Sequence, residues 1–423
     1  MFKFIHAADI HLDSPLRKLD AYEGVPVEEL RNATRRAFEN LVDLALQEEV
    51  DFLVIAGDLY DSDWKDYNTG LYLLSQLGKL REAKIPVLVV TGNHDALSKI
   101  TRKLRIPGGI TLFPSNKAST MVLEDLGVAV HGRSFGTSVM KKNLAVTYRD
   151  RLPGFFNLGI LHTSLNGREG HETYAPCSLD DLLSKGYDYW ALGHAHRREI
   201  VHPQDPVVAF SGNTQGRHVR ETGPKGCLLV SVDDAGNPTL EFKSLDVVRW
   251  EKVRVDATDL DSGHGVVERV TENLAAFMEN HGGLPLIARV EVHGRTRAHA
   301  ELAGDMDRWV NEVRSAAIDA CHGNACVEKV LFLTTDPPRE HHGVLEEGPI
   351  GELHQYLDEM ESDPEQLLSL GSHLDELMKK LPRELKETGE SIRPDDPAWI
   401  AGVVRGIRPM LIQRLLKKED SSK

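Results

Sequence analysis

The sequence predicts a mixed α/β (α+β) chain: a β-sandwich flanked by helices, then a small α/β module, then C-terminal helices. Three observations carry this. Apolar runs of strand length alternate with helix-period segments over residues 2–92. Between 127 and 232, strand-like runs follow one another across short loops. Beyond 349 only amphipathic helical periodicity remains.

Taken in order, FKFIHAAD (2–9) reads as a strand, and Val27 to Glu49 as a helix with Leu30, Ala33, Ala37, Leu41, Leu44 and Ala45 on one face. DFLVIAGD (51–58) is a strand, Thr69 to Ala83 a helix, and PVLVVTG (86–92) a strand. This βαβαβ order implies parallel strands whose C-terminal ends share one edge. Strands at 127–132, 157–162, 187–192, 206–210 and 226–232 complete a mixed sandwich. Near 245–250 the character changes. Strands at 250–256, 286–294 and 326–334 enclose helices at 265–281 and 298–321. DPPREHHGVLEEGP (336–349) reads as a linker, and helices follow at 350–360, 364–380 and 399–417.

The bulk properties bound the possibilities. The 423 residues suffice for two or three domains, and 41% hydrophobic with 27% charged residues is ordinary for a globular protein. No apolar stretch reaches the roughly eighteen residues of a membrane span. MFKFIHAADIHLD meets acidic and imidazole groups too early for a signal peptide, so a cytoplasmic protein is expected. The formal charge of −15 excludes a uniformly basic nucleic-acid coat but not a nuclease whose cations supply the positive charge. Cys177, Cys227, Cys321 and Cys326 are too scattered for a disulfide framework. Cys321-His322 and Cys326 read as a corner with buried thiols rather than as a zinc site.

The polar residues at the strand ends carry the chemistry. Successive strands end in Asp9-Ile10-His11, Gly57-Asp58-Leu59-Tyr60-Asp61, Gly92-Asn93-His94-Asp95, His162, and Gly193-His194-Ala195-His196. Glycine lets the chain turn just past a strand, and each turn offers oxygen or imidazole but no thiolate. Asp9, His11, Asp58, Asn93, His162, His194 and His196 are seven candidate ligands. Seven are too many for one ion and suit two ions roughly 3.5–4 Å apart, with manganese favoured and Asp58, on the middle strand, as the bridge. His94 is left over beside Asn93 and suits a general acid. Asp61 and Asp95 are expected to orient histidines. A single Asp after a strand commonly just starts a turn. Five such endings in order are hard to explain that way.

Together DIH, GDLYD, GNHD, the isolated His162 and GHAH resemble the calcineurin-like metallophosphoesterase superfamily over residues 1 to about 200. Within it the chain is similar to SbcD-type DNA repair exonucleases. More narrowly it is similar to their YhaO branch, on DIHLDSPL (9–16), GHETYAPCSLDDLL (170–183), DYWALGHAH (188–196) and GNTQGRHVRETGPKGC (212–227). The resemblance implies a metallophosphoesterase sandwich with two manganese ions, one on Asp9, His11, Asp58 and His196, the other on Asp58, Asn93, His162 and His194. It implies His94 as the catalytic histidine, DNA as the substrate, a homodimer, and a coiled-coil, SMC-like ATPase partner of the SbcC or YhaN kind. The domains expected are a nuclease domain at 1–248, a capping domain at 249–335, a linker at 336–349 and a helical partner-docking region at 350–423.

Two basic loops are candidates for phosphate contact. Lys99, Arg102, Lys103 and Arg105 follow GNHD, and Arg217, His218, Arg220 and Lys225 follow a strand close in sequence to GHAH. His171 is a weaker candidate at the entrance. A small-molecule phosphodiesterase or phosphomonoesterase is the alternative function for the same centre. A scaffold that had lost its chemistry would lack ligands, and none is missing here.

Overall fold

The computed structural model describes residues 1–14, 32–61, 67–97, 108–165, 174–337, 349–380 and 392–420. The chain divides into two compact units, residues 1–251 with 283–287 and residues 252–282 with 288–423.

The first unit opens with β1 (Phe2–Ala7), α1 (Ala33–Gln47), β2 (Phe52–Ala56), α2 (Tyr67–Glu82) and β3 (Val87–Val90). The short α3 (Asn93–Leu97) and β4 (Ile110–Leu112) follow. Then come β5 (Ser119–Leu123), β6 (Val128–Gly132), β7 (Phe156–His162), α4 (Leu179–Leu183), β8 (Tyr189–Gly193), β9 (Glu199–His202), β10 (Val207–Phe210), β11 (Gly226–Val232) and β12 (Pro238–Ser244). They form two six-stranded sheets, ordered β12-β11-β1-β2-β3-β4 and β5-β6-β7-β8-β10-β9. β1 to β4 run parallel, as do β6, β7, β8 and β10. Both parallel sets therefore deliver loops from C-terminal strand ends.

Period-two burial explains the layers. Phe4, Phe52 and Val54 face the second sheet, where they meet Val130, Leu158, Ile160, Tyr189 and Val207. Their neighbours Ile5, Leu53 and Ile55 face the helices, against Phe38, Leu41, Val42, Leu73 and Leu77. Every residue of β2 is buried, as expected for a parallel strand covered on both faces. The outer face of the second sheet buries Leu161, Trp190, Leu192 and Phe210 against Tyr148, Leu182 and Tyr187.

The expected strands are present, some trimmed, some shifted and some extended by a residue or two, as β15 is at both ends. Four more exist: β4, β5, β9 and β12. All four lie at sheet edges, where partly exposed side chains blur the alternation that marks a strand.

The second unit holds most of a three-stranded sheet of β13 (Arg249–Asp256), β14 (Leu286–Arg295) and β15 (Ala325–Thr335), with α5 (Gly263–Asn280), α6 (His299–Gly304) and α7 (Met306–Ala320). The single helix expected over 298–321 breaks at Asp305, whose backbone leaves the helical region (φ −148, ψ 61). α8 (Pro349–Ser362), α9 (Pro364–Ser372), α10 (Asp375–Lys380) and α11 (Pro397–Asp420) follow. Leu357, Leu367, Ile400, Ala401 and Val404 form a small core of their own, so part of the apolar surface of these helices is satisfied within the chain. Most of the linker, 338–348, lies outside the described residues. Cys321 and Cys326 are free thiols, and among the described residues they join no ligand cluster. Among the described residues no helix is long and apolar enough to cross a membrane.

Candidate metal centre

All the strand ends that carry candidate ligands meet in the first unit. Past β1 and β2 the ladder continues into the loops: Asp9 N donates to Gly57 O, His11 N to Asp58 O and Leu12 N to Leu59 O, each at 3.0 Å. The turns are strained. Asp9 (φ 50), His11 (φ 46), Asp58 (φ 49) and His194 (φ 101) all sit at positive φ. For residues with a Cβ that conformation persists only where the surroundings enforce it, and such strain gathers at functional sites. Gly92 is required for space, since a Cβ there would collide with Asp58 Oδ1 and the His162 ring.

The side chains converge. Asp9, His11 and His196 form one cluster, His11, Asp58 and His94 a second, and Asp9, Asp58 and His162 a third, with ligand atoms within 4.8 Å of one another in each. His11 Nε2 lies 3.1 Å from His196 Nε2 and 3.8 Å from Asp58 Oδ2. His162 Nε2 lies 3.0 Å from Asn93 Oδ1 and 3.5 Å from Asp58 Oδ2. The His194 ring stands edge-on to His162, with centroids 5.2 Å apart, and its backbone amide donates to Asp9. All seven candidate ligands are therefore brought together, with Asp58 between the two ends of the group.

Hydrogen bonds on the far side of the rings set the tautomers. His162 Nδ1 faces the carbonyl of Ala56 at 3.0 Å, which can only accept, so Nδ1 carries the proton and the Nε2 lone pair points to Asp58 and Asn93. His196 Nδ1 does the same toward Glu221 Oε1 at 2.6 Å, leaving Nε2 toward His11. Burial favours the neutral form of these rings. It lowers His162 to about 4, and it lowers His11 and His196 as well, with the Arg217 charge adding to both. Burial raises the carboxyl pKa values of Asp9 and Asp58, and the Asp58 charge raises Asp9 further. Two buried carboxylates that repel each other, ringed by neutral imidazole lone pairs and an amide oxygen, fit divalent cations and lack thiolate.

Around this group stand further polar residues. Asp61 Oδ1 lies 2.9 Å from His94 Nδ1, and Ser14 Oγ donates to Asp61 Oδ2 at 2.8 Å. Against the cost of burial, the nearby His11 and His94 rings and the Ser14 hydroxyl hold Asp61 well below the ordinary carboxylate range. For His94 burial pulls downward, but Asp61 and Asp58 outweigh it and raise its pKa. Asp95, expected beside an imidazole, instead accepts from the backbone amides of Tyr60 and Gly92, both at 2.9 Å, and so ties the β2 loop to the β3 loop.

Of the second basic loop, Arg217 reaches a candidate ligand's side chain. Its guanidinium lies 3.1 Å from His196 Nδ1, 3.3 Å from Glu221 Oε1 and 3.4 Å from Ser14 Oγ. His218 is half exposed at 3.5 Å from Glu221, and Arg220 is exposed. Lys225 is buried and donates to the His196 carbonyl. Lys99, Arg102, Lys103, Arg105 and His171 lie outside the described residues. Glu221 and Ser14 were not anticipated from the sequence. A lone acid within the basic run RHVRETG is the only signal Glu221 leaves there.

Residues 2–198 match the calcineurin-like phosphoesterase family, and residues 250–335 match the middle domain of metallophosphoesterase YhaO. The chain is 35% identical over 294 residues to metallophosphoesterase YhaO of Bacillus subtilis, covering 69% of this chain and 71% of that protein. It is 27% identical over 268 residues to the DNA double-strand break repair protein Mre11 of Sulfurisphaera tokodaii, covering 61% of this chain and 66% of that one. Against the Mre11 protein of Methanopyrus kandleri it is 27% identical over 320 residues, covering 63% and 67%. The chain belongs to the calcineurin-like metallophosphoesterases, and within them to the YhaO branch. It is thus a metal-dependent phosphodiesterase, of a family that uses a dinuclear divalent metal centre.

Proposed function

We propose that the chain is a manganese-dependent DNA exonuclease or endonuclease of the SbcD type. In this proposal it acts in the cytoplasm in DNA repair, as a homodimeric nuclease subunit with a coiled-coil, SMC-like ATPase. The observation that carries the reading is the position of Asp58, 3.8 Å from His11 on one side and 3.5 Å from His162 on the other. Asp9, His11, Asp58 and His196 then hold one cation, and Asp58, Asn93, His162 and His194 the other. When bound, the pair supplies an activated water and polarises a phosphoryl oxygen.

The remaining steps belong to the side chains. Asp61 occupies Nδ1 of His94, so Nε2 is the nitrogen that hands a proton to the leaving sugar oxygen. Arg217, beside His196, offers a guanidinium fork to a non-bridging phosphate oxygen. DNA is favoured over a small ester by the two relatives named for double-strand break repair. It is also favoured by the two modules beyond the catalytic half, 249–335 as a cap and 350–423 as a docking region, which a small substrate does not require.

The test is incubation of the purified chain and Mn²⁺ with labelled duplex DNA, single-stranded DNA and a chromogenic phosphodiester, with and without a chelator. Chelator-sensitive DNA cleavage is expected. Hydrolysis of the small ester, with every DNA form left intact even when the ATPase is supplied, would replace this reading with the small-molecule one.

A further inference from the structure

Glu221 stands outside the group of seven candidate ligands, yet its carboxylate ties together His196, Arg217 and Asn213. It is buried. Oε1 takes His196 Nδ1 at 2.6 Å and Arg217 Nη2 at 3.3 Å, and Oε2 takes Asn213 Nδ2 at 3.0 Å and the Arg217 amide at 2.8 Å. Its own amide donates to His218 O at 2.8 Å. Both carboxylate oxygens are therefore in use, and the side chain has no freedom to swing. The ring it holds faces inward with Nε2, 3.1 Å from His11 Nε2.

We infer that Glu221 is a positioning residue for the metal centre. It fixes the tautomer and the angle of His196 and screens that ring from the Arg217 charge. The inference rests on the dinuclear reading above. Without the carboxylate, the Arg217 guanidinium at 3.1 Å would compete for the same Nδ1 and could be satisfied only by a ring protonated at Nε2, the nitrogen needed as a ligand. Glutamine is no substitute. Its amide has one acceptor oxygen, so its NH₂ group would face either His196 Nδ1–H or the two donors from Asn213 and Arg217. The effect falls on one cation, the one His196 reaches. The opposite side of the centre is oriented elsewhere: His162 is held by the Ala56 carbonyl at Nδ1 and faces Asn93 Oδ1 with Nε2.

The experiment is Mn²⁺ titration of the metal-free full chain and of Glu221→Gln, followed by calorimetry and electron paramagnetic resonance. Melting of the metal-free proteins is recorded alongside. Expected for Glu221→Gln is an affinity loss of about 10–100-fold at one of two sites, with the other unchanged. The spectrum of an exchange-coupled pair would give way to that of an isolated ion at Mn²⁺ levels where the parent shows the pair. Glu221→Asp, which keeps the charge but loses reach, should fall between. If both variants bind two ions within twofold of the parent, the inference is overturned. Should Glu221→Gln not fold, Glu221→Asp decides on the same readout. A parent that itself binds fewer than two ions would sink the dinuclear reading instead, so the two failures are distinct.

Discussion

His94 Nδ1 lies 2.9 Å from Asp61 Oδ1, so the imidazole beside the metal-ligand cluster is held by a carboxylate on its outer nitrogen. The pairing gives His94 a raised pKa and a fixed direction, which are the two properties a general acid needs. His94→Ala is expected to lower kcat by roughly 10²–10⁴-fold while both ions still bind. Asp61→Asn should lower kcat by about 10-fold, because the ring stays present but loses its anchor. Single-turnover kinetics with metal analysis of the same samples checks both. Loss of metal in His94→Ala would make the residue a ligand and not an acid.

Arg217 is the basic residue of its loop that reaches the centre, whereas Arg220 faces solvent. Arg217→Met should therefore raise KM for DNA several-fold and reduce the salt slope of binding by about one. Arg220→Met should change both much less. Binding measured at several salt concentrations separates the two residues, and equal effects would return the loop to a diffuse electrostatic role.

The candidate ligands are legible in the sequence because they follow strands whose apolar pattern is unmistakable, and parallel strands bring their ends to one edge. Asp9 and Asp58 are 49 positions apart but neighbours by register, as Ala7 pairs with Ile55. Glu221 was not legible. Its partner His196 lies in the loop after β8, and the two meet because β10 lies parallel to β8 and Asn213 N donates to His196 O, a pairing across strands distant in sequence. Asp95 shows the opposite error. Its place after a histidine suggested an imidazole partner, but a carboxylate one turn into a helix meets exposed backbone amides first, and it takes those of Gly92 and Tyr60. The edge strands β5 and β12 escaped because their side chains are only partly buried and show no buried face.

His6 lies on β1 in the space between the sheets, facing Leu192 O with Nε2 at 3.1 Å and accepting from Tyr189 Oη at Nδ1. Burial lowers its pKa to about 4, against a gain from the Leu192 bond. The unfolded chain binds a proton at about 6.5 that the folded chain refuses. Stability at this site is therefore complete above about pH 6.5, falls as pH drops toward 4, and levels off below, for a total of about 3 kcal/mol. His6→Gln keeps a donor for Leu192 and an acceptor for Tyr189 without the titration. Denaturant unfolding between pH 7 and 4 should show a shallower acid decline for the variant, and identical slopes would show that His6 is not the group responsible.

Asp58 sets stability against function. In the metal-free protein it is buried, its pKa is raised by that burial, and it repels Asp9. Asp58→Asn keeps the shape and an oxygen for the His94 amide, which donates to Asp58 Oδ1 at 2.9 Å. It removes one of the two clashing charges. The metal-free variant should therefore melt above the metal-free parent, by roughly 1–3 kcal/mol of added stability, as expected when one of two buried carboxylates that repel each other is neutralised. The same change removes a carboxylate that faces both His11 and His162, so added Mn²⁺ should raise the melting temperature of the parent and leave the variant nearly unmoved. Melting curves of both proteins with and without metal give four numbers that must fall in one order. A variant that is less stable without metal, or equally stabilised by it, would mean that Asp58 is held by its neighbours as a structural group and does not bridge.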